Sequence, residues 1–307
     1  MQEITYKKIH SSFKLNGIHI TRDEMFYVAY CFIKEGKPFE QHIGTFLLDW
    51  FDEKPYIELT TSGSTGVPKV VRIDKQAMLD SALATGDFFG LEPGDTMLHC
   101  LPTNYVAGKM MWVRSFILGL EMKFVEPNSN PLDKIDETFD FCAMIPLQAK
   151  NSLKKLKQKR IKKLIIGGVK IHKALEDELV KLPIDIYETY GMTETITHIA
   201  AKKIGSVAFT TLPNVTVSSD NRECLVIKAK KISKNEIVTN DIVKLISDTQ
   251  FIWEGRFDNV INSGGIKLIP EQIEDKLSTR IPRRYFVIGK DDVVLGEKAV
   301  LYIEGEP

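Results

Sequence analysis

The chain has 307 residues, of which 43% are hydrophobic and 27% are charged, a balance typical of globular proteins. Lysine plus arginine and aspartate plus glutamate each total 41, so bulk charge draws the chain neither to nucleic acid nor to an anionic membrane surface. The N-terminus has no apolar signal region, and no apolar run is long enough to span a bilayer, so we expect a cytoplasmic protein with no membrane partner. The length allows two domains, or one large domain with an appendage.

The first 55 residues are predicted to be mainly helical and show no pattern typical of catalysis. Asp23 can cap a helix that continues to about Glu35, and Pro38 can open a second helix that ends near Phe51. A short strand is predicted next, at Tyr56–Leu59.

A stretch rich in hydroxyl groups and glycine, residues 60–69, follows this strand. Gly63 and Gly66 free the backbone to bend or to approach a ligand closely, and Lys69 adds a mobile positive charge. Hydroxyls, backbone N–H groups and an ammonium on one turn make a site for phosphate oxygens. The spacing does not match the G-x-x-x-x-G-K-[ST] nucleotide-binding loop, and a flexible Ser/Gly surface loop is the alternative.

Beyond this stretch, predicted strands and helices alternate, which favours an α/β fold with a largely parallel sheet. Asp74 is a predicted N-cap and Gly90 a predicted stop for a helix over residues 75–89. Ligands of such folds gather at the carboxyl ends of the strands. We therefore expect three loops that follow predicted strands to converge on one crevice with the hydroxyl-rich stretch: Pro102–Gly108, Gly167–Gly168 and Tyr190–Glu194.

Basic side chains crowd the segment Asn151–Lys163. A nucleic-acid patch is one interpretation of such a run. No aromatic residues are interleaved for base stacking, so we favour a solvated helix face and loop and expect no nucleic-acid partner.

Three residues have the chemistry of a nucleotide site, although each also has a structural explanation. Thr193 can hydrogen-bond a phosphate oxygen and Glu194 is a hard oxygen ligand suited to Mg²⁺, but the pair can equally cap a helix. Asp241 can accept two hydrogen bonds from a ribose diol, or it can be an ordinary turn residue.

A domain boundary is predicted at Asp258, which divides the chain into residues 1–257 and 258–307. Pro270 starts a helix in the second part, and strands are predicted at Tyr285–Ile288 and Lys298–Ile303. The last strand has no predicted closing partner, so we expect a small and truncated α+β domain.

Taken together and in this order, these motifs resemble those of the adenylate-forming superfamily of acyl-CoA synthetases, peptide-synthetase adenylation domains and luciferases. The resemblance covers most of the chain after about residue 56. It implies a large N-terminal domain of stacked helices and mainly parallel sheets, followed by a small lid domain. It also implies a two-step reaction: a carboxylate attacks the α-phosphate of ATP and releases pyrophosphate, and a thiol, usually CoA, then attacks the acyl carbon and expels AMP.

The resemblance also implies a role for each matching residue. The phosphate loop would comprise Thr61, Ser62, Gly63, Ser64, Thr65, Gly66 and Lys69. Around the nucleotide, the implied residues are Gly167 and Gly168 beside the adenine and acyl pocket, Tyr190 and Gly191 at the adenine, Thr193 at the α-phosphate, Glu194 as the Mg²⁺ ligand, and Asp241 and Arg256 at the ribose. Asp258 would be a hinge about which the small domain rotates, bringing Gly265 and Lys267 to the site for thioester formation.

The chain departs from the superfamily in two places. The usual Thr-Gly-Asp around the ribose carboxylate is Thr-Asn-Asp here, at Thr239–Asp241. The small domain of the superfamily continues to a near-terminal lysine that contacts the acyl-adenylate, and no counterpart precedes Pro307. We therefore expect the chain as given to bind nucleotide but to form acyl-adenylate slowly.

Within the superfamily, the compact size and the stretches Leu101–Met111 and Thr193–Ala200 resemble o-succinylbenzoate–CoA ligases of menaquinone biosynthesis. One of the two carboxylates of that acid reacts, and the other needs a donor or cation, for which the candidates are Lys109, Arg114 and His198. A ligase for another aryl or short acyl acid and a non-catalytic nucleotide-binding relic are the alternatives. The sequence leaves open whether the chain forms a homodimer.

Overall fold

Helices flank a long central sheet in the computed structural model, which describes residues 5–61 and 69–305 but not the side chains of residues 60, 61 and 69. The helices of the described residues are α1 Arg22–Glu35, α2 Pro38–Phe51, α3 Lys75–Phe89, α4 Val106–Leu118, α5 Pro146–Asn151, α6 Leu153–Lys157, α7 Lys173–Leu179 and α8 Pro270–Leu277. Short 3-10 turns lie at Thr193–Thr195 and Phe257–Asn259. The predicted α/β class is confirmed.

Within the described residues, the strands form three sheets. The strands of the described residues are β1 Lys14–Leu15, β2 Ile18–His19, β3 Tyr56–Thr61, β4 Lys69–Asp74, β5 Thr96–His99, β6 Glu121–Phe124, β7 Phe139–Met144, β8 Ile161–Ile166, β9 Asp185–Gly191, β10 His198–Lys203, β11 Phe209–Thr211, β12 Thr216–Ser219, β13 Cys224–Lys228, β14 Ile237–Leu245, β15 Gln250–Arg256, β16 Ile261–Ser263, β17 Ile266–Leu268, β18 Tyr285–Asp292 and β19 Gly296–Ile303. The central sheet has the order β12-β13-β14-β15-β11-β10-β9-β8-β7-β5-β6-β1-β2, while β3 and β4 form a separate hairpin.

The central sheet is mixed, which corrects the prediction of a mainly parallel sheet. Strands β6, β5, β7, β8 and β9 pair in parallel. From β9 to β12 every pairing is antiparallel. The change occurs because only residues 192–197 connect β9 to β10, and a connection this short joins antiparallel neighbours.

Helices cover both faces of the parallel part, since neighbouring residues of its strands point to opposite sides. Met97 and Phe141 face a core that also holds side chains of α1 to α4, including Phe46. Leu98 and Cys142 face a second core on the other side of the sheet, built with residues of α5 to α7. The boundaries of α1, α2 and α3 agree with the predictions, except that Thr21 rather than Asp23 caps α1, in a capping box with Glu24.

The C-terminal part has its own four-stranded sheet in the order β17-β16-β19-β18. The predicted last strand does have a partner, because β19 pairs with β18 from Gly296 to Ile303, so the expectation of an unpaired strand was wrong. The change of sheet falls between Arg256 and Ile261, on either side of Asp258. A division into domains at residue 258 stays a prediction. No helix within the described ranges combines the length and apolar composition needed to cross a membrane.

His99, at the end of β5, is a buried histidine whose environment keeps it neutral. Its Nε2 lies 3.0 Å from Thr103 Oγ1, and its Nδ1 has no hydrogen-bond partner in the described part of the chain. Burial lowers the pKa of His99 to about 3. Protonation at mildly acidic pH is therefore available to this residue only in the unfolded chain.

We predict that His99 makes the fold sensitive to mild acid. Between pH 7 and pH 5 the unfolded chain gains a proton at His99 and the folded chain does not, so the free energy of unfolding falls by about 2 kcal/mol from this residue alone. Urea denaturation of His99→Gln should show a correspondingly smaller loss between the two pH values. The exposed His19→Gln is the matched control and should keep the wild-type pH dependence. Identical pH dependence in all three proteins would contradict the prediction.

Candidate active site

A cavity of about 270 Å³, here called the inner cavity, opens at the carboxyl ends of β7, β8 and β9. Glycines shape it: a Cβ added to Gly167 would lie 2.4 Å from Thr189 Oγ1, and one added to Gly191 would lie 2.3 Å from the carbonyl oxygen of Thr197. No side chain fits at either position without displacing its neighbour. The lining includes Leu101, Val106, Arg114, Met144, Ile145, Gly167, Gly168, Gly191, Thr193, Ile196, Thr197 and His198.

The guanidinium of Arg114 is the one strong charge among these lining residues. Arg114 is 2% exposed, and its Nη2 donates to Thr197 Oγ1 at 3.2 Å and lies 3.4 Å from His198 Nδ1. Its Nε has no hydrogen-bond partner, and no carboxylate of the described residues pairs with it. Burial lowers the pKa of Arg114 to about 9, which leaves the group charged at neutral pH. A buried cation without a counter-ion is costly, and an anion placed in the cavity would offset that cost.

His198 supports this arrangement as a neutral neighbour. Burial, with a further contribution from Arg114, holds the pKa of His198 well below its usual range. The ring spans two partners, with Nδ1 toward Arg114 and Nε2 3.4 Å from Thr85 Oγ1. The structure thus brings two of the three predicted acyl-site residues together in one cavity.

Lys109, the third candidate, lies elsewhere. It does not line the inner cavity, and its ammonium lies 5.1 Å from the centre of the Phe46 ring. Burial lowers the pKa of Lys109, an effect that the nearby Asp49 carboxylate opposes. This placement does not support Lys109 as a contact for the acyl substrate.

A second cavity of about 760 Å³, here called the outer cavity, adjoins the inner one. The two share Gly168, Thr189, Gly191 and Met192, so a ligand can extend from one into the other. Its further lining includes Lys170, Lys173, Glu188, Tyr190, Glu194, Lys202, Phe209, Val238, Asp241, Ile252, Trp253, Arg256 and Asp275.

The carboxylate of Asp241, at the outer cavity, accepts hydrogen bonds from three donors. Tyr190 donates its hydroxyl to Oδ2 at 2.6 Å, while Trp253 Nε1 and Arg256 Nη1 donate to Oδ1 at 3.1 and 3.4 Å. Burial first, and then the charge of Asp241, raise the pKa of Tyr190, which therefore remains a donor. The structure thus brings together Asp241 and Arg256, which were predicted at the ribose, and Tyr190, which was predicted at the adenine.

Trp253 is a contact that the sequence patterns missed. Strand alternation places residues 253 and 256 on opposite faces of a regular strand. The register of β14 and β15 shifts between Ile242 and Val243, leaving Glu254 as an extra residue. This bulge turns Trp253 to the side of Arg256, and alternation alone gives no signal of it.

Thr193 and Glu194 lie where the two cavities meet. Thr193 lines the inner cavity and Glu194 the outer one. Glu194 is exposed and makes no hydrogen bond or ion pair with another described residue, so its oxygens are free for a ligand. The described residues contain no cluster of three or more metal-ligating side chains. One free carboxylate fits Mg²⁺, which keeps waters and is commonly bound through substrate phosphates.

The remaining predicted residues lie away from the cavities or beyond the described ranges. Ser62, Gly63, Ser64, Thr65 and Gly66 fall outside the described residues, and only the backbone is described for Thr61 and Lys69, which pair at the end of the β3–β4 hairpin. Lys267 is exposed on β17 and lines neither cavity. Asp258 accepts hydrogen bonds from Arg256 at 3.1 Å and from Asn240 at 3.1 and 3.2 Å.

Volume alone does not identify the site. A third cavity of about 760 Å³ lies at the other end of the parallel strands, with Lys159, Asp185 and Lys203 in its lining. It contains none of the predicted site residues. The carboxyl-end position and the converging polar groups distinguish the inner and outer cavities from it.

Known proteins match the chain in sequence and in structure. Among curated proteins, it is 26% identical to a 2-succinylbenzoate–CoA ligase of Haemophilus influenzae, over 92% of this chain and 66% of that protein. It is 24% identical to the enzyme of that name from Escherichia coli K12, over 80% of this chain and 57% of that protein. The chain thus spans about three fifths of the length of the curated relatives that it matches.

Solved structures share the fold. The o-succinylbenzoate CoA synthetase of Bacillus subtilis, in complex with the acyl-adenylate intermediate, superposes with a TM-score of 0.70 over 80% of this chain and 58% of that one, at 18% identity. A protein of Dyadobacter fermentans described as acyl-CoA synthetase (AMP-forming)/AMP-acid ligase II-like is 34% identical, with a TM-score of 0.68 over 88% of this chain and 81% of that one. The family model described as AMP-binding enzyme matches residues 50–231, more than half of the chain. On this match and on the 34% identity, the chain belongs to the family of AMP-binding enzymes.

Proposed function

We propose that this chain binds ATP with Mg²⁺ and activates a carboxylic acid, o-succinylbenzoate, as its acyl-adenylate for transfer to CoA. The observation that carries the proposal is the pair of joined cavities, one with the unpaired Arg114 and the other with the Asp241 carboxylate and its donors. The curated relatives named 2-succinylbenzoate–CoA ligase support the choice of acid and of CoA. The homologous synthetase of Bacillus subtilis, solved with ATP and magnesium, supports the choice of nucleotide and metal.

The two carboxylates of o-succinylbenzoate have separate tasks in this proposal. The unreactive one lies at Arg114 and His198 in the inner cavity, where its charge replaces the missing counter-ion. The reactive one points to Thr193 at the junction, where an oxygen attacks the α-phosphorus of ATP and pyrophosphate leaves. Most of the rate gain comes from positioning and charge stabilisation, because the protein forms no covalent bond with either substrate.

The nucleotide extends along the outer cavity, with its ribose diol at Asp241 and Arg256. Residues 61–66 and Lys69 hold the distal phosphates, and Glu194 holds the metal. Bound there, Mg²⁺ supplies Lewis-acid stabilisation of the phosphate charge. CoA reacts in the second step, for which Lys267 and Gly265 must approach the site from the four-stranded sheet.

The proposal predicts acid-dependent pyrophosphate release. A panel of aryl mono- and diacids, incubated with the chain, ATP and Mg²⁺, should give the highest rate with o-succinylbenzoate. A higher rate with a different acid would move the assignment to that acid. Nucleotide binding without pyrophosphate release for any acid would favour a non-catalytic binding protein.

We predict that Arg114→Met weakens recognition of diacids selectively. Removing one partner from a buried charge pair costs a few kcal/mol, so a sulfamoyl analogue of o-succinylbenzoyl-adenylate should bind about 10²-fold more weakly. The benzoyl analogue, which lacks the second carboxylate, should not show this loss. Lys109→Met is the matched control, since it removes a buried cation from the same helix outside the cavity. An equal loss for both analogues would contradict the role assigned to Arg114.

We predict that Glu194→Gln weakens ATP binding only when Mg²⁺ is present. The amide is a poorer ligand for a hard cation, so calorimetry should show about tenfold weaker Mg²⁺-dependent ATP binding and unchanged AMP binding. Glu178→Gln removes a surface carboxylate that pairs with Lys181, and it should behave as wild type. Unchanged ATP affinity in Glu194→Gln at limiting Mg²⁺ would rule out this ligand.

A further inference from the structure

A chain of contacts leads from the Asp241 carboxylate to helix α8 of the C-terminal sheet. Trp253 Nε1 donates to Asp241 Oδ1 at 3.1 Å, and the Lys170 ammonium lies 5.2 Å from the centre of the Trp253 ring. The same ammonium contacts both carboxylate oxygens of Asp275 on α8, at 2.8 and 2.7 Å. Lys170 thus stands between the half-buried indole and α8.

The three donors on Asp241 leave too few free acceptor positions for a ribose diol to bind both carboxylate oxygens. A carboxylate has about four acceptor positions, two on each oxygen. Trp253 and Arg256 take both positions on Oδ1, and Tyr190 takes one on Oδ2. One ribose hydroxyl can bind at the free position on Oδ2. Two hydroxyls, one to each oxygen, require a donor to leave Oδ1.

Trp253 is the donor that can leave at lower cost. Its hydrogen bond is between a neutral group and a carboxylate, whereas Arg256 brings a full charge. Arg256 is also anchored by Asp258 at 3.1 Å, which keeps it beside Asp241. The indole has no second hydrogen-bond acceptor among the described residues, so losing Asp241 frees the ring to turn.

We propose that Trp253 occupies the ribose position of Asp241 before a nucleotide binds, and that a ribose diol displaces it and thereby loosens α8 through Lys170. The inference rests on the proposed nucleotide site and adds a positioning role for two residues that the sequence patterns did not single out. When the indole turns, Lys170 loses the aromatic face beneath its ammonium. Its hold on Asp275 weakens, and α8 with the four-stranded sheet becomes freer to move. By linkage, the position of α8 and nucleotide affinity influence each other equally.

The first test compares AMP with 2′-deoxy-AMP. Only AMP carries the second hydroxyl, so only AMP should change the fluorescence of Trp253 in the wild-type protein. Trp50 and Trp112 are fully buried and provide a constant background. In Trp253→Phe, calorimetry should show about threefold to tenfold tighter binding of AMP, the scale of one hydrogen bond, and unchanged binding of 2′-deoxy-AMP. Trp50→Phe, which removes an indole that lines neither cavity, should match wild type in both affinities.

The second test follows α8 by hydrogen exchange. AMP should speed exchange of the α8 amides in wild type, and it should have no such effect in Trp253→Phe. Asp275→Asn should speed α8 exchange to a similar degree without nucleotide, because it removes the ion pair with Lys170. Helix α3, which lies in the core of the other part, is the internal reference.

The outcomes separate this inference from the proposed function. If AMP binds and neither the fluorescence nor the AMP affinity depends on Trp253, Arg256 yields instead, and this inference is wrong while the nucleotide site stands. If the indole responds but α8 exchange does not, the link through Lys170 is wrong. If no form of the protein binds AMP, the proposed nucleotide site fails and this inference fails with it.

Discussion

The tight return of the chain after β9 is the constraint on which the site depends. Gly191 touches the carbonyl of Thr197 so closely that only a hydrogen fits between them, and it pairs with His198 across the strands. Thr195 holds the turn from inside, accepting from the Met192 N–H at 2.9 Å and donating to the Thr197 carbonyl at 2.8 Å. The turn ends the parallel part of the sheet. Over a few residues of sequence, it supplies side chains that line both cavities.

This turn also holds backbone strain. Ile196 has φ of 68° and ψ of −55°, a positive-φ conformation that a β-branched residue rarely adopts and that costs roughly 1–3 kcal/mol. The buried Thr195 and the packing of Ile196 in the core compensate for the strain. The result is a constrained segment in which Thr193, Thr197 and His198 line the inner cavity and Glu194 lines the outer one. Rigid placement suits a reaction in which orientation supplies much of the rate.

Capping residues and helix stops predicted many element boundaries correctly, because their effect depends only on the few residues around them. Asp74 and Gly90 bound α3 as expected, since the Asp74 carboxylate accepts from Gln76 N–H and Gly90 takes the left-handed conformation that ends a helix. The mixed sheet was harder to predict, because short apolar strands have the same pattern in parallel and antiparallel pairs. The choice depends on how long the connections are and what covers each face.

The sequence patterns did not predict the positions of two side chains relative to the cavities, each for a geometric reason. Lys109 and Arg114 are both basic and lie on one helix, but five residues turn a helix by about 140° beyond a full turn, so their side chains face different surroundings. The Lys109 ammonium lies over the Phe46 ring and near the Asp49 carboxylate, whereas Arg114 lines the inner cavity. Trp253 was missed because a bulge reverses the alternation of its strand. Composition shows which chemistry a segment carries, whereas helix phase and strand register decide where that chemistry points.

The two buried charges of the site, Arg114 and Asp241, differ in the partners that the protein itself provides. Asp241 has donors on both oxygens and is therefore stabilised by the protein's own groups. Arg114 has only neutral partners, so the inner cavity holds a charge that a second carboxylate of an acid would neutralise. Because Arg114 is buried away from water, the attraction it exerts on an anion is stronger than it would be at the exposed surface. In the proposed reaction this favours binding a diacid with its unreactive end first, which leaves the reactive end at Thr193, where the two cavities meet.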